Sequence, residues 1–312
     1  MNLAFGFFLV PGFSLVALSC AIDVLRAANI EMDEDQLSWH LIGVETTRIA
    51  SSSGISLDVE DIKSRTDCDI IAICGGERSH LFNSPRALNW LKRQAVEGKS
   101  IGSISDGAFI AADAGLFDRC KSTIHWKCQT AYRENHPGLD IRTSILEIDG
   151  NRFSCAGGTA SLDLMLQLIM ETTGPEIVGK IADNYFHDII RGDEQAQHMT
   201  NAFRYAGRTP VLSDALLIME SNLEAPLTIS EIAELAGTSS RQLDRLFRKH
   251  LNTAPSTHYR DLRIFRACGL LKQSRLTVAE IAVGCGFQSS SHLSKHFKSK
   301  MGTSPLKYRM AR

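Results

Sequence analysis

The C-terminal third of this 312-residue chain contains one segment in two copies. The first copy begins at Thr228 with TISEIAELAGTSSRQLDRLFRKHLNTAP, and the second begins at Thr277 with TVAEIAVGCGFQSSSHLSKHFKSKMGTSP. The copies share Thr, Glu-Ile-Ala, Gly, Leu, Phe and Pro at corresponding positions, and the second copy carries one inserted residue. Because repeated sequence indicates repeated structure, the chain must form two similar units in tandem.

Each copy has the pattern of a helix, a tight turn and a second helix. In the first copy Ile229, Ile232 and Ala233 recur at helical spacing, and Gly237 suits the left-handed conformation of a turn. A second apolar stripe with helical spacing follows that glycine. The pattern predicts two helix-turn-helix units, at 228–252 and 277–301, in an all-α C-terminal domain.

Charge separates the two ends of the chain. Residues 208–312 carry 16 Lys and Arg against 8 Asp and Glu, whereas residues 1–207 carry 18 against 27. A basic module favours double-stranded DNA, whose major groove admits the second helix of a helix-turn-helix unit. A single second helix with a polar, charged face is equally typical of a solvated surface. Two such helices in one basic module favour contact with DNA. The candidate DNA-binding residues are Ser240, Arg241, Gln242, Asp244, Arg245, Ser289, Ser290, Ser291, His292, Lys295 and Lys298.

Residues 210–312 resemble the AraC/XylS family of DNA-binding domains. The resemblance rests on the repeat, and above all on VAEIAVGCGFQSSSHLSKHFKSKMGTSPLKYR in the second copy. It implies that both second helices lie in successive turns of the major groove on one face of DNA. The family's base-reading positions fall on Arg241, Asp244, Arg245, Ser290, Ser291, His292 and Lys295. Asp244 is unusual there, and it either accepts from a cytosine amino group or orients Arg245.

The N-terminal body alternates apolar strands with helical patterns. LAFGFFLV, DIIAICGG and SIGSIS have the composition of buried strands, and ILEIDGNRFSCAGG predicts a hairpin that turns at Asp149 and Gly150. This alternation predicts an α/β domain with a flavodoxin-like, open, mostly parallel sheet and helices on both faces. No Lys or Arg precedes the first strand, and Pro11 and Gly12 end it, so we expect a core strand and not a signal peptide.

The eight cysteines are scattered along the chain without a C-x-x-C pair. Disulfide frameworks and zinc knuckles need clustered cysteines, so we expect reduced thiols in a cytoplasmic protein, with no metal and no cofactor. The apolar segments are shorter than a membrane span, so we expect no membrane association.

Four short segments are expected to meet at the carboxyl ends of the parallel strands, where such sheets bind ligands. A glycine pair after one strand would let backbone amides face a ligand, and a tight turn, SDG, follows another strand. A His-Trp pair comes next, and GGT opens a helix whose free N–H groups favour an anion. The predicted ligand-binding residues are Gly75, Gly76, Ser105, Asp106, His125, Gly158 and Thr159.

Residues 1–172 resemble the PfpI-type branch of the class I glutamine amidotransferase-like superfamily, through LVPGFSLVALSCAIDVLRAAN, IIAICGG, ISDGAFIAADAGLF and CAGGTASLDLML. Enzymes of this superfamily carry a reactive cysteine at the turn, a histidine, and often an acid from the first helix. Here the cysteine position is Ser105, the histidine position is His125, and the acid position falls near Ala17. A serine needs an aligned histidine and an orienting acid. Asp106, adjacent in sequence, is expected to point away from that histidine. The strand-to-helix turn that carries Ser105, called the elbow below, is therefore expected to bind a ligand without catalysing a reaction.

Both halves in this order resemble the GlxA family of transcriptional regulators. The domains are then 1–172 for ligand sensing and dimerisation, 173–209 for a helical connector and linker, and 210–312 for DNA binding. The connector is either a helix packed on the sensor followed by a linker, or one continuous helix. The resemblance implies a homodimeric activator whose partners are promoter half-sites, RNA polymerase and a small nitrogenous effector such as an amino acid, a betaine or an amine.

Two other functions stay open. The first is a serine-type hydrolase or glyoxalase-like enzyme that uses Ser105 and His125 and carries a DNA-binding module. The second is a ligand-independent regulator or adaptor whose N-terminal body only dimerises. Loss of turnover in Ser105→Ala would favour the enzyme, and a screen without any stabilising metabolite would favour the adaptor.

Overall fold

The computed structural model describes residues 2–64, 67–193, 197 and 209–310. The chain forms two compact units, Met1–Gln197 and His198–Arg312. The part of the predicted connector from 198 to 208 lies outside the described residues. Among the described helices, none combines the length and the apolarity that a bilayer crossing needs.

The described residues of the N-terminal unit form one seven-stranded sheet and two pairs of short strands. These strands are β1 (Leu3–Leu9), β2 (Leu37–Gly43), β3 (Arg48–Ala50), β4 (Ser56–Asp58), β5 (Glu60–Asp61), β6 (Ile70–Cys74), β7 (Ser100–Ile104), β8 (Lys121–Ser122), β9 (Asp140–Ile141), β10 (Leu146–Asp149) and β11 (Arg152–Cys155). The main sheet has the order β10-β11-β7-β6-β1-β2-β5, and only the β10–β11 pair is antiparallel. That pair is the predicted hairpin, with Asp149 opposite Arg152.

Strand β1 explains why the sheet carries helices on both faces. Phe5, Phe7 and Leu9 lie in one apolar core, and Phe8 and Val10 lie in the other. Successive side chains of a strand point to opposite faces, so a strand buried on both faces is apolar throughout. The expected core strand at the start of the sequence is confirmed.

Five helices cover the two faces of the sheet. They are α1 (Leu15–Met32) and α5 (Ala160–Asn184) on one face, and α2 (Pro85–Val96), α3 (Ala108–Asp113) and α4 (Gln129–Asn135) on the other. The predicted flavodoxin-like α/β architecture is confirmed. Between β7 and α3 the chain turns from strand to helix through one 3₁₀ turn, Ser105–Gly107.

Helix α5 is interrupted at Gly174 and ends at Asn184, inside the predicted connector. Gly174 has φ 81° and ψ 164°, outside helical values, and Pro175 follows it inside the helix. Proline has no N–H to donate, so the break costs little at this point. The helix ends at Asn184, and Phe186 has a positive φ of 52°. The described part of the connector therefore continues α5 to Asn184 and is not helical over 185–193, so it is not one continuous helix.

The described residues of the C-terminal unit form helices and short turns. The helices are α6 (Pro210–Ser221), α7 (Ile229–Leu235), α8 (Ser240–Leu251), α9 (Pro255–Gln273), α10 (Val278–Gly284), α11 (Ser290–Met301) and α12 (Pro305–Met310). Helices α7 and α8 form one helix-turn-helix unit, and α10 and α11 form the other. Tyr259 of α9 lies in the first core, and Ile264 and Leu271 lie in the second. One long helix thus stabilises both units, and the predicted pair is confirmed.

The matching positions of the repeat are the ends of helices. Thr228 and Thr277 accept hydrogen bonds from the backbone N–H of Glu231 and Glu280, whose carboxylates accept from the threonine backbone in return. This reciprocal capping satisfies N–H groups that a helix start leaves unpaired. Gly286 in the second turn has φ 69°, a conformation that favours glycine.

Candidate ligand site and DNA-binding surface

The carboxyl ends of four parallel strands meet at one edge of the sheet. Strands β1, β6, β7 and β11 are neighbours there, and the Ser105–Gly107 turn follows β7. Glycines let the backbones approach each other closely. A Cβ on Gly76 would lie 1.9 Å from the Gly12 carbonyl oxygen, and one on Gly75 would lie 2.2 Å from the Gly107 nitrogen. The edge is therefore closely packed.

Gly75 and Gly76 do not present bare amides to a ligand. The Gly75 N–H donates to the Ile104 carbonyl at 3.1 Å, and the Gly76 N–H donates to Ser79 Oγ at 2.8 Å. The prediction that these amides hold a ligand is wrong, because buried N–H groups must find partners and here they find them within the edge. The two glycines shape the site instead.

Ser105 has the backbone geometry of a nucleophile elbow. Its φ is 57°, in the left-handed region that residues other than glycine rarely adopt. Its side chain is only 8% exposed and packs against Gly157, where a Cβ would lie 2.5 Å from Ser105 Cβ. Among the described residues, no hydrogen bond joins the Ser105 hydroxyl to His125.

Asp106 faces His125, contrary to the sequence-based prediction. Its carboxylate, a ring nitrogen of His125 and Cys128 Sγ lie within 4.8 Å of one another. The 3₁₀ turn has about three residues per turn, so it directs Asp106 away from Ser105 and towards the histidine. Asp106 does not cap the following helix either. Cys128 was not among the predicted residues, although its H-x-x-C spacing from His125 indicates a shared face.

Burial determines the electrostatics of this cluster. Desolvation raises the pKa of Asp106 to about 6, and it lowers the pKa of His125 below its usual value, because a buried site disfavours the charged form of each group. In the described part of the chain, no Lys or Arg forms an ion pair with Asp106. A buried carboxylate in this state favours a ligand that brings positive charge.

Gly158 and Thr159 lie where α5 begins. Gly157 and Gly158 both have positive φ, 82° and 59°. Thr159 is exposed, and its side chain forms no capping bond to the helix. Instead Arg191 Nη2 donates to Thr159 Oγ1 at 3.0 Å. A guanidinium therefore stands beside the helix start that the sequence predicted to favour an anion.

A buried charge cluster that was not predicted from the sequence adjoins this helix start. Asp163 is fully buried and accepts from His187 Nε2 at 2.7 Å. It also accepts from the backbone N, Nε and Nη2 of Arg191 at 2.8, 3.0 and 2.6 Å. Residues 187–191 are thereby held against α5. The one indication in the sequence was a carboxylate inside the apolar run ASLDLMLQLIM.

We expect Gly157→Ala to destabilise the protein more than Gly158→Ala. Both positions have positive φ, but only at Gly157 would the new Cβ overlap Ser105; no atom lies within 4 Å at Gly158. The free energy of unfolding should fall by about 1 kcal/mol for Gly158→Ala and by about 3 kcal/mol for Gly157→Ala. Urea denaturation of the full chain measures both, and equal losses would contradict the close contact.

The predicted DNA-binding residues lie on α8 and α11 and at their N-termini, in the second helix of each unit. Arg241, Arg245, Lys295 and Lys298 are exposed, and none forms an ion pair with another described residue. Cations in this position on a second helix are suited to phosphates and base edges. Ser240, Gln242 and Ser291 are also exposed, whereas Ser290 is half-buried.

Asp244 pairs with an arginine one turn further along α8. It accepts from Arg248 Nε at 2.7 Å, so it orients Arg248 and not Arg245. The pairing follows from the i, i+4 spacing, which places the two side chains next to each other on a helix. Arg245 is consequently left without an acidic neighbour on its own helix.

Two residues of the second unit already have structural contacts. Ser289 is the N-cap of α11, where its hydroxyl accepts from the His292 N–H at 3.1 Å. The His292 ring is half-buried, and its Nε2 lies 3.1 Å from His296 Nε2. Ser289 can still donate its hydroxyl proton to DNA, while His292 is partly engaged by its helix neighbour.

Two family models cover most of the chain. Residues 6–171 match the DJ-1/PfpI family, and residues 232–311 match a helix-turn-helix domain. The first match spans the sheet and its elbow, and the second begins in α7 and spans both second helices.

Two curated proteins are similar over nearly the whole chain. The HTH-type transcriptional regulator GlxA of Rhizobium meliloti is 36% identical over 302 residues, which cover 96% of this chain and 93% of that protein. The HTH-type transcriptional regulator CdhR of Pseudomonas aeruginosa is 34% identical over 306 residues, which cover 98% and 91%. The crystal structure of an AraC family transcriptional regulator from Pseudomonas putida covers 59% of this chain and all of that chain, with TM-score 0.55 and 24% identity, so it supports the fold alone.

Proposed function

The chain belongs to the DJ-1/PfpI family and to the GlxA family of DNA-binding transcriptional regulators, and on that premise we propose that it is an activator controlled by a small nitrogenous effector. The effector is an amino acid, a betaine or an amine, and it binds at the elbow without being transformed. The active form is a cytoplasmic homodimer that occupies promoter half-sites and contacts RNA polymerase.

The unpaired cations on α8 and α11 carry the DNA-binding part of this proposal. Arg241 and Arg245 are exposed on the first of these helices, and Lys295 and Lys298 on the second. Arginine forms bidentate bonds to guanine, whereas lysine mainly neutralises phosphates. We therefore assign base reading chiefly to the first unit and phosphate contacts chiefly to the second.

The effector class is supported by the two charges at the elbow. Asp106 is a buried carboxylate without a cationic partner in the described part of the chain, so it suits a cationic nitrogen. Arg191 donates through Nε and Nη2 to Asp163 and Thr159, so its remaining nitrogen, Nη1, is the one that suits a carboxylate. Amino acids and betaines carry both groups. The proposed contacts are Ser105, Asp106, His125, Gly158 and Thr159, on an edge that Gly75 and Gly76 shape.

The proposed mechanism is a shift between two populations of the regulator. Thr159 begins α5, and residues 187–191 return to that same helix start before the chain continues towards the DNA-binding domain. An effector at this edge can favour one arrangement of that returning segment. The effector changes DNA binding only as far as its affinities for the two arrangements differ. A ligand that binds both arrangements equally tightly would have no effect.

We expect Lys298→Ala to weaken binding to all DNA sequences equally. The side chain is assigned to a phosphate, so its loss should reduce the slope of log affinity against log salt by about 1. Fluorescence anisotropy measures this slope over a series of salt concentrations, with a promoter fragment selected by its binding to the wild-type chain and with a random duplex. Arg93→Ala removes an exposed cation from the other unit and serves as the control. A loss confined to the promoter would contradict a phosphate role.

A thermal-shift screen of the full chain with amino acids, betaines and amines tests the effector. A true effector should raise the melting temperature of the wild-type chain and change its promoter affinity. Asp106→Asn should abolish both responses, because the amide cannot pair with a cationic nitrogen. A screen without any stabilising compound would instead favour the ligand-independent adaptor.

The strained φ of Ser105 favours the serine-type enzyme as a second candidate. Against it, the hydroxyl has no hydrogen bond to His125 among the described residues, and a serine depends on such a base. Ser105→Ala distinguishes the two functions. Unchanged effector-dependent transcription supports sensing, and loss of turnover supports the enzyme.

A further inference from the structure

Three different metal-binding groups converge at the Ser105–Gly107 turn. The carboxylate of Asp106, a ring nitrogen of His125 and Cys128 Sγ lie within 4.8 Å of one another. Asp106 and Cys128 are buried, and His125 is half-buried. Oxygen, nitrogen and sulfur ligands together suit borderline transition metals such as zinc, and they do not suit Mg²⁺ or Ca²⁺, which prefer oxygen alone.

Two hydrogen-bonded turns position these groups. His125 and Cys128 bracket the 3₁₀ turn Trp126–Cys128, and the Cys128 N–H donates to the His125 carbonyl at 2.8 Å. Residues three apart on such a turn lie one above the other, so both side chains point the same way. Asp106 comes from the separate turn after β7, which the close glycine contacts fix. The cluster thus exists before any ion binds.

We propose that Asp106, His125 and Cys128 bind one borderline transition-metal ion such as Zn²⁺. The spacing of the cysteines in the sequence had predicted no metal site. Three protein ligands leave at least one coordination position open in a tetrahedral site. On binding, the Cys128 thiol gives its proton to solvent and the sulfur lone pair forms the bond to the ion. The ion supplies the positive charge that the buried Asp106 carboxylate favours.

This inference rests on the proposed function in that both use Asp106 and His125. In the metal-bound protein the ion takes the place of the cationic nitrogen at Asp106, and the effector's carboxylate is the donor that can occupy the open position. The metal site itself needs no effector, no DNA and no transcription. Metal binding can therefore be measured independently of effector binding and of transcriptional regulation.

Titration of the full-length, chelator-treated chain with Co²⁺ tests the site. We expect one equivalent to bind, with the thiolate-to-cobalt charge-transfer absorption that a Cys ligand produces, and Zn²⁺ to displace it. His125→Ala and Cys128→Ala should each lower the affinity by more than about 100-fold, since even partners outside the ligand shell contribute 10- to 100-fold. Cys74→Ala, which removes another buried cysteine of the same unit, should bind like the wild type.

Two results would overturn the proposal. One is a wild-type chain without stoichiometric Co²⁺ binding and without the charge-transfer band. The other is a band that persists in both His125→Ala and Cys128→Ala, which would place the ion elsewhere. His125 is half-buried, so His125→Ala keeps the test decisive if Cys128→Ala does not fold. DNA affinity and thermal melting in chelator confirm that each variant is folded.

Discussion

Replacing Asp163 by asparagine should cost about 3 to 5 kcal/mol of folding free energy, because it leaves a guanidinium and a histidine facing a neutral amide in a buried site. Asp163 is fully buried and accepts hydrogen bonds from His187 and from three nitrogens of Arg191. The asparagine NH₂ group would meet some of these donors with a donor of its own. Urea or thermal denaturation of the full chain measures the loss.

Asp183→Asn is the matched control, because Asp183 lies on the same helix and is exposed. Exposed substitutions of this kind change stability by less than about 0.5 kcal/mol. Arg191→Ala should cost less than Asp163→Asn, since His187 stays beside the carboxylate. If Asp163→Asn proved as stable as Asp183→Asn, the cluster would not hold residues 187–191.

The helix-turn-helix units could be predicted from the sequence because their determinants are local. The capping threonines and glutamates are three residues apart, and the turn glycine lies between two helices that are adjacent in sequence. Each unit therefore shows its whole pattern within one short segment. The sheet could be predicted for a similar reason, since a strand such as β1, buried on both faces, is apolar throughout.

The contents of the elbow could be predicted only in part. Ser105 and the turn after β7 follow from one segment, but the partners of Asp106 come from a turn some twenty residues further on. Asp163 depends on His187 and Arg191, which are 24 and 28 positions away. Gly75 and Gly76 misled the prediction for the opposite reason. A glycine pair indicates close backbone approach, and only the structure shows that the approaching group is the protein's own chain.

Removing Arg241 and Arg245 together should abolish selective binding to the promoter. Each exposed arginine assigned to a base edge is worth about 1 to 3 kcal/mol, so the double variant should lose about 2 to 6 kcal/mol, or at least about 30-fold in affinity. Asp244 leaves Arg245 unpaired by bonding to Arg248, so its guanidinium is available to DNA. Anisotropy or footprinting at constant salt, on the promoter and on a scrambled duplex, measures the selectivity.

Comparing the loss of affinity for the promoter with the loss for the scrambled duplex shows whether the arginines contact bases or phosphates. If the arginines read bases, affinity for the promoter falls steeply while affinity for the scrambled duplex falls only by the two lost charges. Arg93→Ala, which removes an exposed cation from the N-terminal unit, should leave both affinities unchanged. Equal losses on both duplexes would make Arg241 and Arg245 phosphate contacts, and base reading would then have to come from the second unit, where Ser291 is exposed and His292 is partly engaged by His296.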